Sequence, residues 1–232
     1  MKTLLEIIKI IKETGGGEKP GRMELAKMNI NSALQYLSLK NITIENVKLN
    51  LLLAMDKFNM GKTKRKDMPV INEPDIKAFQ TRLKLGYIDI NKPLAKETPT
   101  TNPFPDGLSD EMATKFMSNG LRDFSKPDDK VGVYIKSIPV NKLIPIQKQV
   151  YFDKSVDSIA KFGVEKTKQF LASTILITSS DNRIIDGHHR FLSSLIIDPK
   201  MHAKCLVVDL PIKVLLPLAT AYGDAIGNKR NL

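Results

Sequence analysis

Apolar positions in the first sixty residues recur at helical spacing. Leu4, Ile7, Ile8 and Ile11 share one face, as do Leu34 and Leu37, and Val47, Leu51, Met55 and Phe58 form a stripe within 44–60. Gly15, Gly16, Gly17, Pro20 and Gly21 predict a flexible break after the first of these helices. A further helix is predicted to begin at Glu73 and Pro74, where proline is tolerated in the first turn. It stops at Gly86 and buries Ile76, Phe79 and Leu83. From 91 to 130 the pattern gives way to punctuation: Pro93, Pro99, Pro103, Pro105, Gly107, Gly120 and Pro127. This predicts a partly ordered connector with an extended loop over 98–106 and a short helix over 110–119. From 131 to 223 short apolar runs alternate with amphipathic stretches, the pattern of an α/β (α+β) domain with a small mixed sheet. The chain therefore divides into a helical basic region (1–90), a connector (91–130), the α/β domain (131–223) and a frayed basic tail (224–232).

Composition narrows the class. With 232 residues, 42% of them hydrophobic, the chain can bury a sizeable core. The apolar run 4–12 is interrupted by Glu6 and Lys9, so it fits neither a signal peptide nor a membrane span, and no other run approaches spanning length. No membrane partner is expected. Cys205 is the single cysteine and lies in the apolar run 203–208. It reads as a buried inert thiol in a reducing interior, cytoplasmic or, for a viral protein, virion-associated.

The formal charge is +11, split as +5 over 1–130 and +6 over 131–232, so basicity is spread along the chain. Such a chain attracts polyanions. One local cluster, Lys57, Lys62, Lys64, Arg65 and Lys66 around Gly61, is either a solvated loop after a helix or a nucleic-acid contact, DNA being the obvious polyanion. With 6% aromatic residues and no tryptophan, a base-stacking platform is disfavoured. The N-terminal helical region is also a candidate surface for a protein partner.

The most informative string is Asp186-Gly187-His188-His189-Arg190, which sits between the apolar runs 174–178 and 183–185 and the apolar segment 191–197. Strand, glycine turn and helix start leave unpaired backbone N–H groups converging on one spot, with the positive end of the helix dipole behind them. The natural guest is a phosphate. A plain turn glycine, a capping aspartate and surface histidines would give the same letters. Against that, two of only three histidines stand here, and apolar segments brace the turn on both sides. Adjacent histidines diverge on a helix, and no spaced Cys/His set exists, so no metal site is expected beyond Mg2+ brought by a nucleotide. His202 stands alone, and Lys142, Lys148 and Lys154 are either surface lysines or phosphate contacts.

Residues 137–210 resemble the ParB/sulfiredoxin superfamily, which includes ParB-like nuclease domains and free-serine kinases. The resemblance rests on Ile138-Pro139-Val140-Asn141-Lys142-Leu143-Ile144-Pro145, the helical stretch from Asp153, Ile175-Leu176-Ile177, and Ile184-Ile185-Asp186-Gly187-His188-His189-Arg190. It implies that Gly187, His188, His189 and Arg190 hold nucleotide phosphates (ATP, ADP or CTP) and that Asp186 assists proton transfer from a substrate hydroxyl. His188 stands where sulfiredoxin carries its reactive cysteine, which argues against sulfinic acid repair. The chromosome-partitioning members' glutamate and arginine pair are also absent. The kinase-like members place a glutamate soon after the first strand; here Gln147 and Gln149 occupy that stretch, and the first carboxylate is Asp153, the candidate second catalytic group.

Three functions follow as alternatives: a nucleotide-binding phosphoryl-transfer enzyme, a DNA-binding or ParB-like nuclease protein, or a non-catalytic assembly or packaging component of a virus. The first requires a second carboxylate, Asp153 or Asp157, near Asp186. The second requires the 57–66 cluster and the turn on one face.

Overall fold

A computed structural model describes residues 22–88, 90, 101–118 and 130–230. The predicted helix over 4–12 and the glycine break after it lie outside them. Five strands form one mixed sheet: β1 (Val133–Pro139), β2 (Ile144–Pro145), β3 (Ile175–Ser179), β4 (Arg183–Asp186) and β5 (His202–Val208). Their order is β1-β5-β3-β4-β2, with β1/β5 and β3/β4 antiparallel and β5/β3 and β4/β2 parallel. Among the described residues the α-helices are α1 (Ile30–Leu39), α2 (Val47–Asn59), α3 (Glu73–Leu85), α4 (Asp110–Ser118), α5 (Phe152–Phe162), α6 (Val164–Ser173), α7 (His188–Ile197) and α8 (Ile212–Ala225). The fold is mixed α/β, as the alternation over 131–223 predicts. None of these helices is long and apolar enough to cross a membrane.

Strand periodicity gives the sheet two buried faces. Leu176, Ile184, Ala203, Cys205 and Val207 belong to one core, and Ile177, Ile185, Leu206 and Val208 to the other. The first core is closed by α7, α5 and the N-terminal helices α1 and α2. There Phe58 of α2 meets Phe191 of α7 with ring centroids 5.7 Å apart. The second is closed by α3 and α8, through Phe79, Leu83, Leu215 and Tyr222. Each such fully buried side chain stabilises by about 1.5–3 kcal/mol, which is why the N-terminal helices dock. The boundaries drawn near 90 and 131 therefore do not separate cores, because sequence periodicity marks a buried face without saying what covers it.

The connector is also less detached than its composition suggests. The predicted short helix is α4, which buries Ala113 and Met117, and Leu108 N–H donates to Ala225 O at 2.7 Å. The tail, expected to fray, is tied down as far as residue 230. Arg230 is buried and pairs with the buried Asp224 (Nε to Oδ1 2.9 Å), while Asn228 Nδ2 donates to Val70 O (2.9 Å) and Asp75 (3.1 Å). The charge of the tail suggested solvent; a buried carboxylate on α8 supplies its partner instead. Cys205 is buried, and burial pushes its thiol up to about 12, so it is inert as expected.

Candidate functional site

β4 ends at Asp186 and α7 begins at His188, so Gly187 makes the whole turn. Its φ of 100° lies in the left-handed region, and a methyl there would collide with Leu176 Cδ2 and lie 3.2 Å from Arg190 Nη2. Only glycine fits. The turn leaves the backbone N–H groups of His188, His189 and Arg190, the first three of α7, without acceptors among the described residues. They carry the positive end of a ten-residue helix.

The side chains of the turn are placed differently from one another. Arg190 is already committed: Nη2 pairs with Asp186 Oδ2 at 2.7 Å and Nη1 donates to Ile175 O at 2.9 Å. It braces the turn against β3 and neutralises Asp186. Burial raises the Asp186 carboxyl above its ordinary range, opposed by Arg190 and by the Gly187 N–H. His188 is buried (4% exposed), and its Nε2 accepts from the N–H groups of Ile146 and Gln147, each at 3.2 Å. His189 Nε2 accepts from Tyr151 N–H at 3.1 Å, and its ring stacks on Tyr151 at 6.0 Å. Both imidazoles thus use Nε2 as an acceptor, which puts the proton of the neutral ring on Nδ1. They clip the 146–151 segment to the start of α7, a role the sequence reading did not foresee because this segment is remote in the chain. One turn further on, Ser194 Oγ donates to Arg190 O at 2.9 Å, and Ser193 Oγ lies within hydrogen-bond reach of both Ser155 O (2.5 Å) and His189 O (2.9 Å), which ties α5 to the start of α7.

Burial pushes His188 down to about 3, against an ordinary value of 6.5. The folded form therefore binds fewer protons than the unfolded chain between those pH values. Its contribution to stability is complete above pH 6.5 and is lost as pH falls toward 3. Well inside that window each pH unit is expected to lower stability by about 1.4 kcal/mol through His188, with His189, pushed down to about 3 as well, adding a similar loss, so His188→Gln should reduce the slope of the urea midpoints with pH without abolishing it. A midpoint that does not move with pH would place the His188 ring in water.

Above the turn lies a cavity of about 300 Å3. Its floor is Ile185 to Arg190, and Gln147 and Lys154 form one side. The other side comes from the N-terminal half, through Arg65, Met68, Pro69 and Val70, a wall the sequence reading missed. Two backbone bonds from Lys62 and Thr63 to Ile146 O (both 3.0 Å), one from Lys148 N–H to Thr63 O (2.8 Å) and one from Arg65 N–H to Gln149 Oε1 (3.1 Å) pin that segment to the rim. Arg65 also lies over the Tyr151 ring at 4.9 Å. Lys154 has no ion pair or hydrogen bond among the described residues. Its ammonium is pushed down by burial and by Arg65 and Arg22.

Other expected site residues lie elsewhere. Asp153 does not line the cavity: Arg22 Nη1 (2.9 Å) and Met23 N–H (3.0 Å) hold its carboxylate. The spacing that made Asp153 the first carboxylate after β2 also puts it on the face of α5 turned toward the incoming N-terminal chain. The lysine cluster divides. Lys57 is buried and donates to Leu143 O at 2.9 Å, so it is a structural donor and not a nucleic-acid contact. Lys62, Lys64 and Lys66 are exposed. Among the described residues no group of three metal-ligating side chains exists. A larger depression of about 510 Å3 between α3 and α4 offers Arg82, which is already spent on Asp110, Thr114 and Tyr222. No protein-family model matches the chain, and neither a curated protein nor a solved structure matches it.

Proposed function

We propose that the Asp186–Arg190 turn is the phosphate seat of a nucleotide-binding domain of the ParB/sulfiredoxin type. The observation that carries this is a single one: behind a left-handed glycine, three N–H groups that have no acceptor among the described residues open into a cavity beside Lys154, a cation with no ion pair or hydrogen bond among those residues. Helix-start N–H groups and a lysine are the usual complement of a phosphate, and Arg190 cancels the charge of Asp186 that would otherwise repel one. The arginine and the imidazole Nε2 atoms act through the backbone they hold, not by touching the ligand. ATP, ADP and CTP are the ligands to try, Mg2+ arriving with the nucleotide.

Phosphoryl transfer to a hydroxyl is the reaction this seat fits, with the raised carboxyl of Asp186 as the group that takes the hydroxyl proton. Since Asp153 is engaged with Arg22, that reaction rests on Asp186 alone, and binding is the primary reading. Calorimetry with the three nucleotides and Mg2+ tests it. Saturable heat is expected, weakened about tenfold by Lys154→Met, the loss of one charge-assisted contact. No heat with any of them, or with inorganic pyrophosphate, would overturn the reading.

A further inference from the structure

The cavity sits at the lower limit of ligand-pocket size, about 300–1,000 Å3, so a whole nucleoside triphosphate does not fit inside it and most of a long ligand lies beyond its mouth. What lies beyond is the segment that forms one wall. Between Lys62 and Asp67 it carries Lys62, Lys64, Arg65 and Lys66 against one carboxylate. Arg65 faces the cavity, while Lys62, Lys64 and Lys66 are exposed and have no ion pair among the described residues. Backbone bonds to Ile146, Lys148 and Gln149 fix the segment at the rim, so its lysines are presented and not trailing. The cavity lining offers a further donor. His188 is 4% exposed, lines the cavity and accepts at Nε2 from the backbone, and among the described residues its Nδ1–H has no acceptor.

From this arrangement we infer that the ligand is the phosphorylated end of a nucleic-acid strand. The terminal phosphate sits on the turn, and the next phosphates run along Lys62, Lys64 and Lys66. A monoester end matches the seat better than an internal diester, because three N–H groups and the His188 Nδ1–H call for an anion with several free oxygens. No exposed aromatic ring lies on the 62–67 segment, so the strand is held by its backbone and base sequence matters little. This inference rests on the reading of the turn as a phosphate seat.

Fluorescence anisotropy on the full chain tests it, using a labelled short single-stranded oligodeoxynucleotide with a 5′-phosphate, a 3′-phosphate or hydroxyls at both ends. One phosphorylated form is expected to bind about tenfold or more tighter than the hydroxyl form and to be displaced by ATP. The triple variant Lys62→Ser/Lys64→Ser/Lys66→Ser is expected to weaken strand binding and lower its salt slope by about 2, while leaving nucleotide heats unchanged. Equal affinity for all three ends, or no displacement by ATP, overturns the strand inference while positive calorimetry keeps the phosphate seat. Nucleotide heat with no strand binding overturns it in the same way. Silence in both experiments removes the seat as well.

Discussion

Gly187→Ala is expected to abolish nucleotide binding and to cost about 2–5 kcal/mol of stability. About 1–2 of this comes from the left-handed backbone and about 1–3 from forcing a methyl into a filled space. The space is filled by Leu176 Cδ2, with Arg190 Nη2 3.2 Å away. Any relief of that contact shifts either β3 or the guanidinium that joins Ile175 O to Asp186, so the three N–H groups lose their common target. Urea denaturation gives the stability change and calorimetry the binding. Adding Leu176→Ala separates the two contributions: the double variant should be less destabilised than the sum of the single ones, because the methyl enters vacated space. Additive losses would mean that backbone conformation alone makes Gly187 necessary. Unchanged nucleotide affinity in a folded Gly187→Ala would show that the turn is not the seat.

Arg230→Ala is expected to destabilise by about 3–5 kcal/mol, the usual consequence of stranding one member of a buried ion pair. The side chains of Arg230 and Asp224 are 2% and 4% exposed, so the abandoned carboxylate cannot reach water without unfolding the end of α8. Replacing both residues together with apolar ones of similar size should recover most of the loss. Thermal and urea unfolding of the single and double variants test this. A loss below about 1 kcal/mol for Arg230→Ala would put the pair at the surface, where such bridges contribute little.

These two sites differ in how readable they were. Gly187 stands between two apolar runs and beside a rare pair of histidines, so the turn and its helix were legible from spacing alone. The short apolar runs alternating with amphipathic stretches over 131–223 likewise pointed to a small mixed sheet, but that both of its faces are buried is seen only in the folded chain. What spacing does not carry is the identity of contacts between distant segments. Nothing in the string His188-His189 says that both Nε2 atoms point at backbone N–H groups some forty residues back, or that Met68 to Val70 will wall the cavity. The same limit explains Asp153, Lys57 and Arg230: each was read by its charge, and each found a partner that only the folded chain brings near.

The stretch 146–151 has a consequence for how the protein is made. It is gripped from one direction by Thr63, from another by Met23 and Leu25, whose backbones bond Phe152 and Val150, and from a third by the histidine pair. Contacts of such long sequence separation form slowly, because loop closure must precede any reward. During synthesis the chain up to Val70 emerges first and waits for partners that follow roughly 80 to 130 residues later. The seat is therefore among the last features to mature, and a nascent or truncated chain ending before α7 would carry its basic rim with no pocket behind it.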